Sequence, residues 1–168
     1  MATTRPEDSL TLATMTNLAG ALVEQGRYQE SKTLLEQTLE RERRVLGPDH
    51  PSTLSCMSVL ATTLIRMGQY AEAEKLQQET LDTQRRVLGP NHPDTSISAY
   101  NLACLISKEG DHERAMILLR DAVDHGLAPD VVLGMEQDPD LQPLHGDPRF
   151  TEIVADAHKR AAEAQRTK

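Results

Sequence analysis

Residues 11–51 laid over residues 53–93 without a gap agree at 20 of 41 positions. Agreement at that level within one chain is an internal repeat with a 42-residue period, and it limits the fold more than composition does. Each copy must build the same unit, and each unit must bury its apolar face against a neighbour. A further step of 42 aligns Gly26 with Gly68 and Gly110, Leu18 with Leu60 and Leu102, and Ala19 with Ala61 and Ala103, so three copies are present. The stretch PEDSLT at Pro6–Thr11 falls in the register of PDHPST at Pro48–Thr53.

Within each copy the apolar residues follow helical spacing. Met15, Leu18, Ala19 and Leu22 are matched by Met57, Leu60, Ala61 and Leu64, the i, i+3, i+4, i+7 pattern of one buried stripe. The glycine column ends this first helix, because a left-handed residue after the last turn costs glycine little. A second stripe runs through Tyr28, Leu34, Leu35, Leu39, Val45 and Leu46, echoed by Tyr70, Leu76, Leu81, Val87 and Leu88. Each unit is therefore a helical hairpin, and the reading requires Leu18, Leu60 and Leu102 to be buried.

The most similar phrase of the copies, RRVLGPDHPST at Arg43–Thr53 and RRVLGPNHPDT at Arg85–Thr95, reads as stop, turn and start. Its arginine pairs sit in a last helical turn, where positive charge favours the helix dipole by about a few tenths of a kcal/mol. Gly47 and Gly89 stop the helix, Pro48 and Pro90 prevent its continuation, and Pro51 and Pro93 suit the first turn of the next. Glu40 and Asp82 lie four residues before Arg44 and Arg86, the order that pairs charges along a helix and makes a self-neutralising face. His50 and His92 recur with the period but belong to successive joints and have no third counterpart, so capping or turn packing is expected of them rather than a metal site.

The third copy closes its second helix near His125 and Gly126, about two turns early, and the array ends there. The tail breaks the period and is rich in Asp-Pro turns. It predicts a short helix near Val131 to Gln137, a turn through Leu141 to Pro143 and a final helix. Asp147 caps that helix, Pro148 occupies its first turn, and Phe150, Ile153, Val154 and Ala157 form its apolar face. Stacked hairpins leave an apolar end, which this segment is expected to cover.

Composition agrees and excludes several function classes. Of 168 residues, 38% are hydrophobic and only 2% aromatic, so the core must come from Leu, Ala, Val, Met and Ile, which suits closely packed helices. A net charge of -8 argues against nucleic acid and anionic membranes as partners. Two cysteines, Cys56 and Cys104, are too few for a disulfide framework and too far apart for a zinc site, which points to a reducing interior. The opening MATTRPEDSL lacks a leader pattern and no run is apolar enough to span a bilayer, so a soluble, cytoplasmic chain is expected. No spacing of Cys and His with the remaining polar residues makes a nucleophile, base and orienter set, and no glycine-rich phosphate loop occurs, so neither catalysis nor a cofactor or metal is expected.

Hairpins carrying NLAGALVEQGRYQES, VLATTLIRMGQYAEA and NLACLISKEGDHERA resemble tetratricopeptide repeats. In that family small residues let neighbouring helices approach; Ala19, Ala61 and Ala103 match on the first helix, and Ala73 and Ala115 on the second, with Ser31 in copy one. The 42-residue period and the LGPxHPxT joint are similar to the longer kinesin light chain type. The resemblance implies an all-α, right-handed α-solenoid, a TPR superhelix, with three repeats in residues 1–128 (about 6–47, 48–89 and 90–128) and a C-terminal helical cap at 129–168.

It also implies a non-catalytic interaction module whose first helices line a concave groove for a peptide segment of a partner protein. By register the groove edge carries Ala13, Thr16, Asn17, Gly20 and Glu24, then Ser55, Ser58, Val59, Thr62 and Arg66, then Ile97, Tyr100, Asn101, Cys104 and Lys108. Family members often place Asn at the column of Asn17 and Asn101, where its amide donates to and accepts from a peptide backbone; Val59 interrupts that ladder. Thr16, Gly20 and Ile97 stand where parts of a chaperone-type carboxylate clamp belong, which argues against that ligand. Arg66 and Lys108 share the column of Glu24, so an acidic or mixed peptide fits the second half of the groove. Two other roles remain open at this point: self-association through an open face of the first repeat, giving a homo-oligomer, and service as the regulatory C-terminal part of a larger signalling protein.

Overall fold

The joint phrase explains the local structure residue by residue. Gly47 and Gly89 take φ of +97° and +87°, a left-handed conformation that closes the preceding helix. His50 and His92 are the N-caps of the helices that follow: each Nδ1 accepts a backbone N–H, from Ser52 at 3.1 Å and from Asp94 at 3.2 Å. Pro51 and Pro93 sit at the first helical positions, and the hydroxyls of Thr53 and Thr95 reach back to the Gly47 and Gly89 carbonyls at 2.8 and 2.9 Å. The expected capping role of the two histidines is what the geometry shows.

The computed structural model describes residues 6–166, with side chains from Ser9 to Glu163. The described residues are helical throughout the regular elements, in the order α1 (Pro6–Glu24), α2 (Tyr28–Val45), α3 (Pro51–Arg66), α4 (Tyr70–Val87), α5 (Pro93–Glu109), α6 (His112–Asp124), α7 (Pro129–Gly134), 3₁₀ turns at Met135–Gln137 and Pro139–Leu144, and α8 (Pro148–Arg166). No strand occurs among them. The chain divides into two compact units, Met1–Thr83 and Gln84–Lys168. The side chains of Pro6 to Asp8 lie outside the described residues.

In the first unit α1 packs on α2 and α3, and α2 on α3. Ala19, Ala61 and Ala73 are buried, and Ser31, which replaces alanine in copy one, is buried too. Its hydroxyl donates to the Ala19 carbonyl at 2.9 Å and lies 3.3 Å from Thr63 Oγ1, so a polar atom is accommodated without an orphan. Leu35, Met57 and Leu64 complete the core; burying each such side chain stabilises the unit by about 1.5–3 kcal/mol.

Two parts of the predicted stripes need correction. Leu60 and Leu102 are buried at 6% and 0% exposure, whereas Leu18 is 55% exposed. The buried face of α1 is instead Leu12, Thr16, Ala19, Leu22 and Val23. The column of Leu60 is covered because α3 packs on α2 of the preceding hairpin, and α1 has no such helix among the described elements. On the second helices, Val45, Tyr70 and Val87 are exposed; the inward positions are Leu35, Thr38, Leu39 and Glu42 on α2, and Gln77, Thr80, Leu81 and Gln84 on α4. These positions, at i, i+3, i+4, i+7, include polar residues that an apolar stripe overlooks.

The first arginine of each pair links neighbouring copies. Arg43 reaches Glu79 at 2.7 Å, and Arg85 reaches Asp121 at 2.7 Å, each link joining the second helices of consecutive copies. Lys32 with Glu72 adds a third such pair at 3.2 Å. These pairs are solvent-exposed or partly so, worth at most about 1 kcal/mol each, and they align helices more than they stabilise them.

In the second unit α5 packs on α6, α6 on α8, and α7 on α8. α8 lays Phe150, Ile153, Val154 and Ala157 inward as predicted. Asp147 Oδ1 accepts the Arg149 N–H at 2.9 Å, and Arg149 also clasps Glu113 of α6 at 2.7 Å. The His145 ring stacks on Phe150 with centroids 5.1 Å apart.

Candidate functional site

The predicted groove residues lie on the first helix of each hairpin, and the two units present them differently. On α1, Asn17 and Glu24 are exposed, and Ala13 and Gly20 are half-buried. Thr16 is not on the edge: it is 5% exposed and its Oγ1 has no hydrogen-bond partner. Four residues from Leu12 and three from Ala19, it turns into the packed side of α1, which removes it from any groove.

On α3, Ser55, Thr62 and Arg66 are exposed, with Ser58 and Val59 half-buried between them. The Ser58 and Thr62 hydroxyls donate to carbonyls one turn back, Leu54 and Ser58, both at 3.1 Å. They are thus satisfied by their own helix, yet each keeps a free lone pair and turns about one bond.

On α5 the same columns are occupied by the chain itself. Tyr100 and Cys104 are buried, and their polar atoms meet Asp138: the phenol donates to Oδ2 at 2.6 Å and the thiol lies 3.7 Å from the same oxygen. Lys108 Nζ lies 3.0 Å from Asp140 Oδ1. Asp140 lies in the 3₁₀ segment Pro139–Leu144; Asp138 precedes it and caps it by accepting the Asp140 N–H on Oδ1 at 2.9 Å, and Leu141 and Leu144 anchor it in the core. Burial, then the neighbouring Cys104 thiol and the Asp138 carboxylate, push the Tyr100 phenol far above its usual range, so it stays a donor at all ordinary pH. Cys104 is raised in the same direction, by burial first and Asp138 second.

Tyr100 and Cys104 are therefore withdrawn as open groove positions, and Lys108 is exposed but paired with Asp140; on that helix Asn101 is exposed too and Ile97 half-buried. Sequence reasoning missed Asp138 and Asp140 as their partners because it read them only as turn formers. The available signal was a tyrosine and a lysine eight residues apart on α5, followed by an acidic Asp-Pro-Asp turn in the short, period-breaking tail.

A second polar cluster lies inside the first unit and was not foreseen. Glu42 is fully buried and neither carboxylate oxygen meets a donor at hydrogen-bonding geometry. Cys56 nearby donates its S–H to the Leu35 carbonyl at 3.6 Å. Burial raises the Glu42 carboxyl, with Cys56 and Ser52 opposing it only in part, and burial pushes the Cys56 thiol up to about 12. Both cysteines are free and buried, which makes them poor nucleophiles. Among the described residues, no group of three or more His, Cys, Asp or Glu is placed to hold a metal ion, and no helix is long and apolar enough to cross a membrane.

Fold and surface together define a helical-repeat protein of the α-solenoid class. The tetratricopeptide repeat model matches residues 10–81 and again residues 58–125, and the chain belongs to that family. Its fold is similar to that of BtubC (BKLC) from P. vanneervenii, with a TM-score of 0.78 and 19% identity over 96% of this chain; the chain spans 66% of that one. It is also similar to the nearly identical TPR-like repeats of a Podosopora anserina kinesin light chain, solved both as such and as a single-site variant, each with a TM-score of 0.67 and 21% identity. Those matches cover 96% of this chain and 99–100% of the other. These likenesses bear on fold, which is all-α and kinesin light chain-like. No curated protein matches the sequence.

Proposed function

We propose that the protein is a non-catalytic interaction module that holds a segment of a partner protein along the first-helix face of its first unit, formed by α1 and α3. Tetratricopeptide repeats are in general protein–protein interaction scaffolds. The observation that carries the finer reading is the contrast between the units: the register of α5 already holds an acidic turn of the chain, whereas Asn17, Val59, Thr62 and Arg66 of α1 and α3 are exposed or half-buried. Asn17 offers both a donor and an acceptor to a backbone, Val59 an apolar contact and Arg66 a charge. A protein partner, rather than nucleic acid or membrane, fits the net charge of -8, and two free thiols fit a cytoplasmic setting.

A photo-crosslinking residue at Thr62, expressed in the native host, tests the reading. Capture of a discrete partner from position 62, abolished by Val59→Glu and absent when the crosslinker replaces Arg44 on α2, is the expected result. Equal capture from both positions would remove the groove. Self-association is a second reading, favoured by Leu10 and Leu18, which are 71% and 55% exposed on α1. Sedimentation equilibrium decides it: a monomer at all concentrations eliminates it.

A further inference from the structure

We propose that the uncovered face of the first hairpin, formed by α1 and α2, is an interface with a second copy of this chain, the two related by a two-fold axis that crosses both helices. The inference rests on the self-association reading, not on the groove of α1 and α3, and names the surface and its orientation.

The repeat columns show what this face is built to do. Thr14, Leu18 and Ala21 of α1 stand 42 residues before Cys56, Leu60 and Thr63, which are buried where α3 packs on α2. There Cys56 meets the Leu35 carbonyl and Thr63 the Ser31 hydroxyl. On α1 the same columns are open, with Leu18 exposed and Leu10, two turns before it, more exposed still. On α2, Glu30, Leu34, Gln37 and Arg41 follow i, i+4, i+7, i+11 and share one side. It is the side that faces backward along the array, because Glu72 and Glu79, in the columns of Glu30 and Gln37, receive Lys32 and Arg43 from the preceding second helix. Leu34 lies in a shallow depression with Gln29, Thr33 and Gln37.

Two observations select the occupant. A second helix of the repeat type brings an arginine in the register of Arg43, and copy one answers it with neutral Gln37 where copies two and three place Glu79 and Asp121. The chain's own second helices are not free to dock there either, since Leu35, Leu81 and Leu119 on their inward sides are fully buried. A head-to-tail filament therefore has no counterpart face, and a copy that meets this surface must present the same one.

Charge sets the orientation. Glu30 and Arg41 mark opposite ends of the α2 stripe, about 16 Å apart at 1.5 Å per residue. Arg41 is exposed and, among the described residues, has no ion pair. Antiparallel α2 helices bring Arg41 of each copy to Glu30 of the other, so one contact makes two pairs. Glu30 already holds Arg27 at 2.6 Å, and each of its oxygens keeps a further lone pair for a second guanidinium. The centre of this stripe, between Leu35 and Glu36, lies about 14 Å beyond the Gly26 turn; Thr14, midway between Leu10 and Leu18, lies about 18 Å before it. The two levels differ by less than one helical turn, so a single axis centres both helices. Two such helices side by side cover roughly 27 by 20 Å, about 1,100 Å² over both copies, near the lower limit for a specific interface. The dimer is accordingly weak and concentration-dependent.

Sedimentation equilibrium of the full chain over about 1–500 μM tests the interface, with helix content followed by circular dichroism. A monomer–dimer equilibrium without larger species is expected. Leu18→Glu, Arg41→Glu and Glu30→Arg each raise the dissociation constant about tenfold or more, and Arg41→Glu combined with Glu30→Arg in one chain returns it to within about threefold of the wild type. A monomer at every concentration overturns the proposal and self-association together. A dimer that ignores Leu18→Glu, or that the combined exchange fails to restore, leaves self-association standing on another surface and overturns this one. Species larger than a dimer overturn the two-fold closure, and a photo-crosslinker at position 18 that captures a different protein and no second copy overturns the choice of occupant.

Discussion

Glu42 is the residue with most at stake, since a carboxyl placed in the core without a donor is tolerated most readily in its neutral form. Its folded pKa lies above its ordinary value of 4.5, so between those two points the folded state binds more protons than the unfolded one. Stability contributed by the protonated form is complete below 4.5 and is lost as pH rises through the folded value. The second copy places Gln84 in the same column, also buried with Oε1 unpartnered, and so shows that a neutral amide fits. Glu42→Gln is expected to leave stability unchanged at pH 4 and to raise it by about 1 kcal/mol or more at pH 8, flattening the pH profile of urea midpoints. A variant profile parallel to that of the wild type would mean that Glu42 does not carry the dependence.

At the scale of the element, the joint between hairpins is a local device. The Gly47 turn, the His50 cap and the Thr53 hydroxyl lie within seven residues and close the same loop. No atom approaches the place where a Cβ would stand on Gly47, so Gly47→Ala suffers the backbone term alone, about 1–2 kcal/mol, readable as a lowered urea midpoint. His50→Ala loses a cap and is expected to cost about 1 kcal/mol. The acidic turn after α7 is the contrasting case, since it acts over 30 or more residues of sequence. Asp138→Ala leaves the buried Tyr100 hydroxyl without its acceptor and is expected to destabilise the chain by about 1–3 kcal/mol, with Tyr100→Phe in the same background recovering most of the loss. Failure of that recovery would assign the effect to the turn rather than to the hydrogen bond.

For the whole molecule, the repeat made the fold legible: period, hairpin, joint and the capping helix α8 all depend on residues close in sequence, and the family match at 10–81 and 58–125 agrees. What stayed illegible depends on distance or on facing. Leu18 follows the same spacing as Leu60, and only the preceding hairpin that covers α3 tells them apart. Thr16 and Glu42 are polar, so an apolar stripe passes over them although they point inward. Tyr100, Cys104 and Lys108 carry the right chemistry for a groove, but the tail that fills their place breaks the period and so has no register to follow. The candidate surface that remains, on α1 and α3, is accordingly smaller than the columns of the sequence implied. Its most direct test is hydrogen exchange of the full chain with and without the partner captured through position 62. Slowed exchange along α1 and α3, with α5 and residues 138–144 unchanged, is the predicted result; protection that appears on α5 while residues 138–144 exchange faster would contradict it.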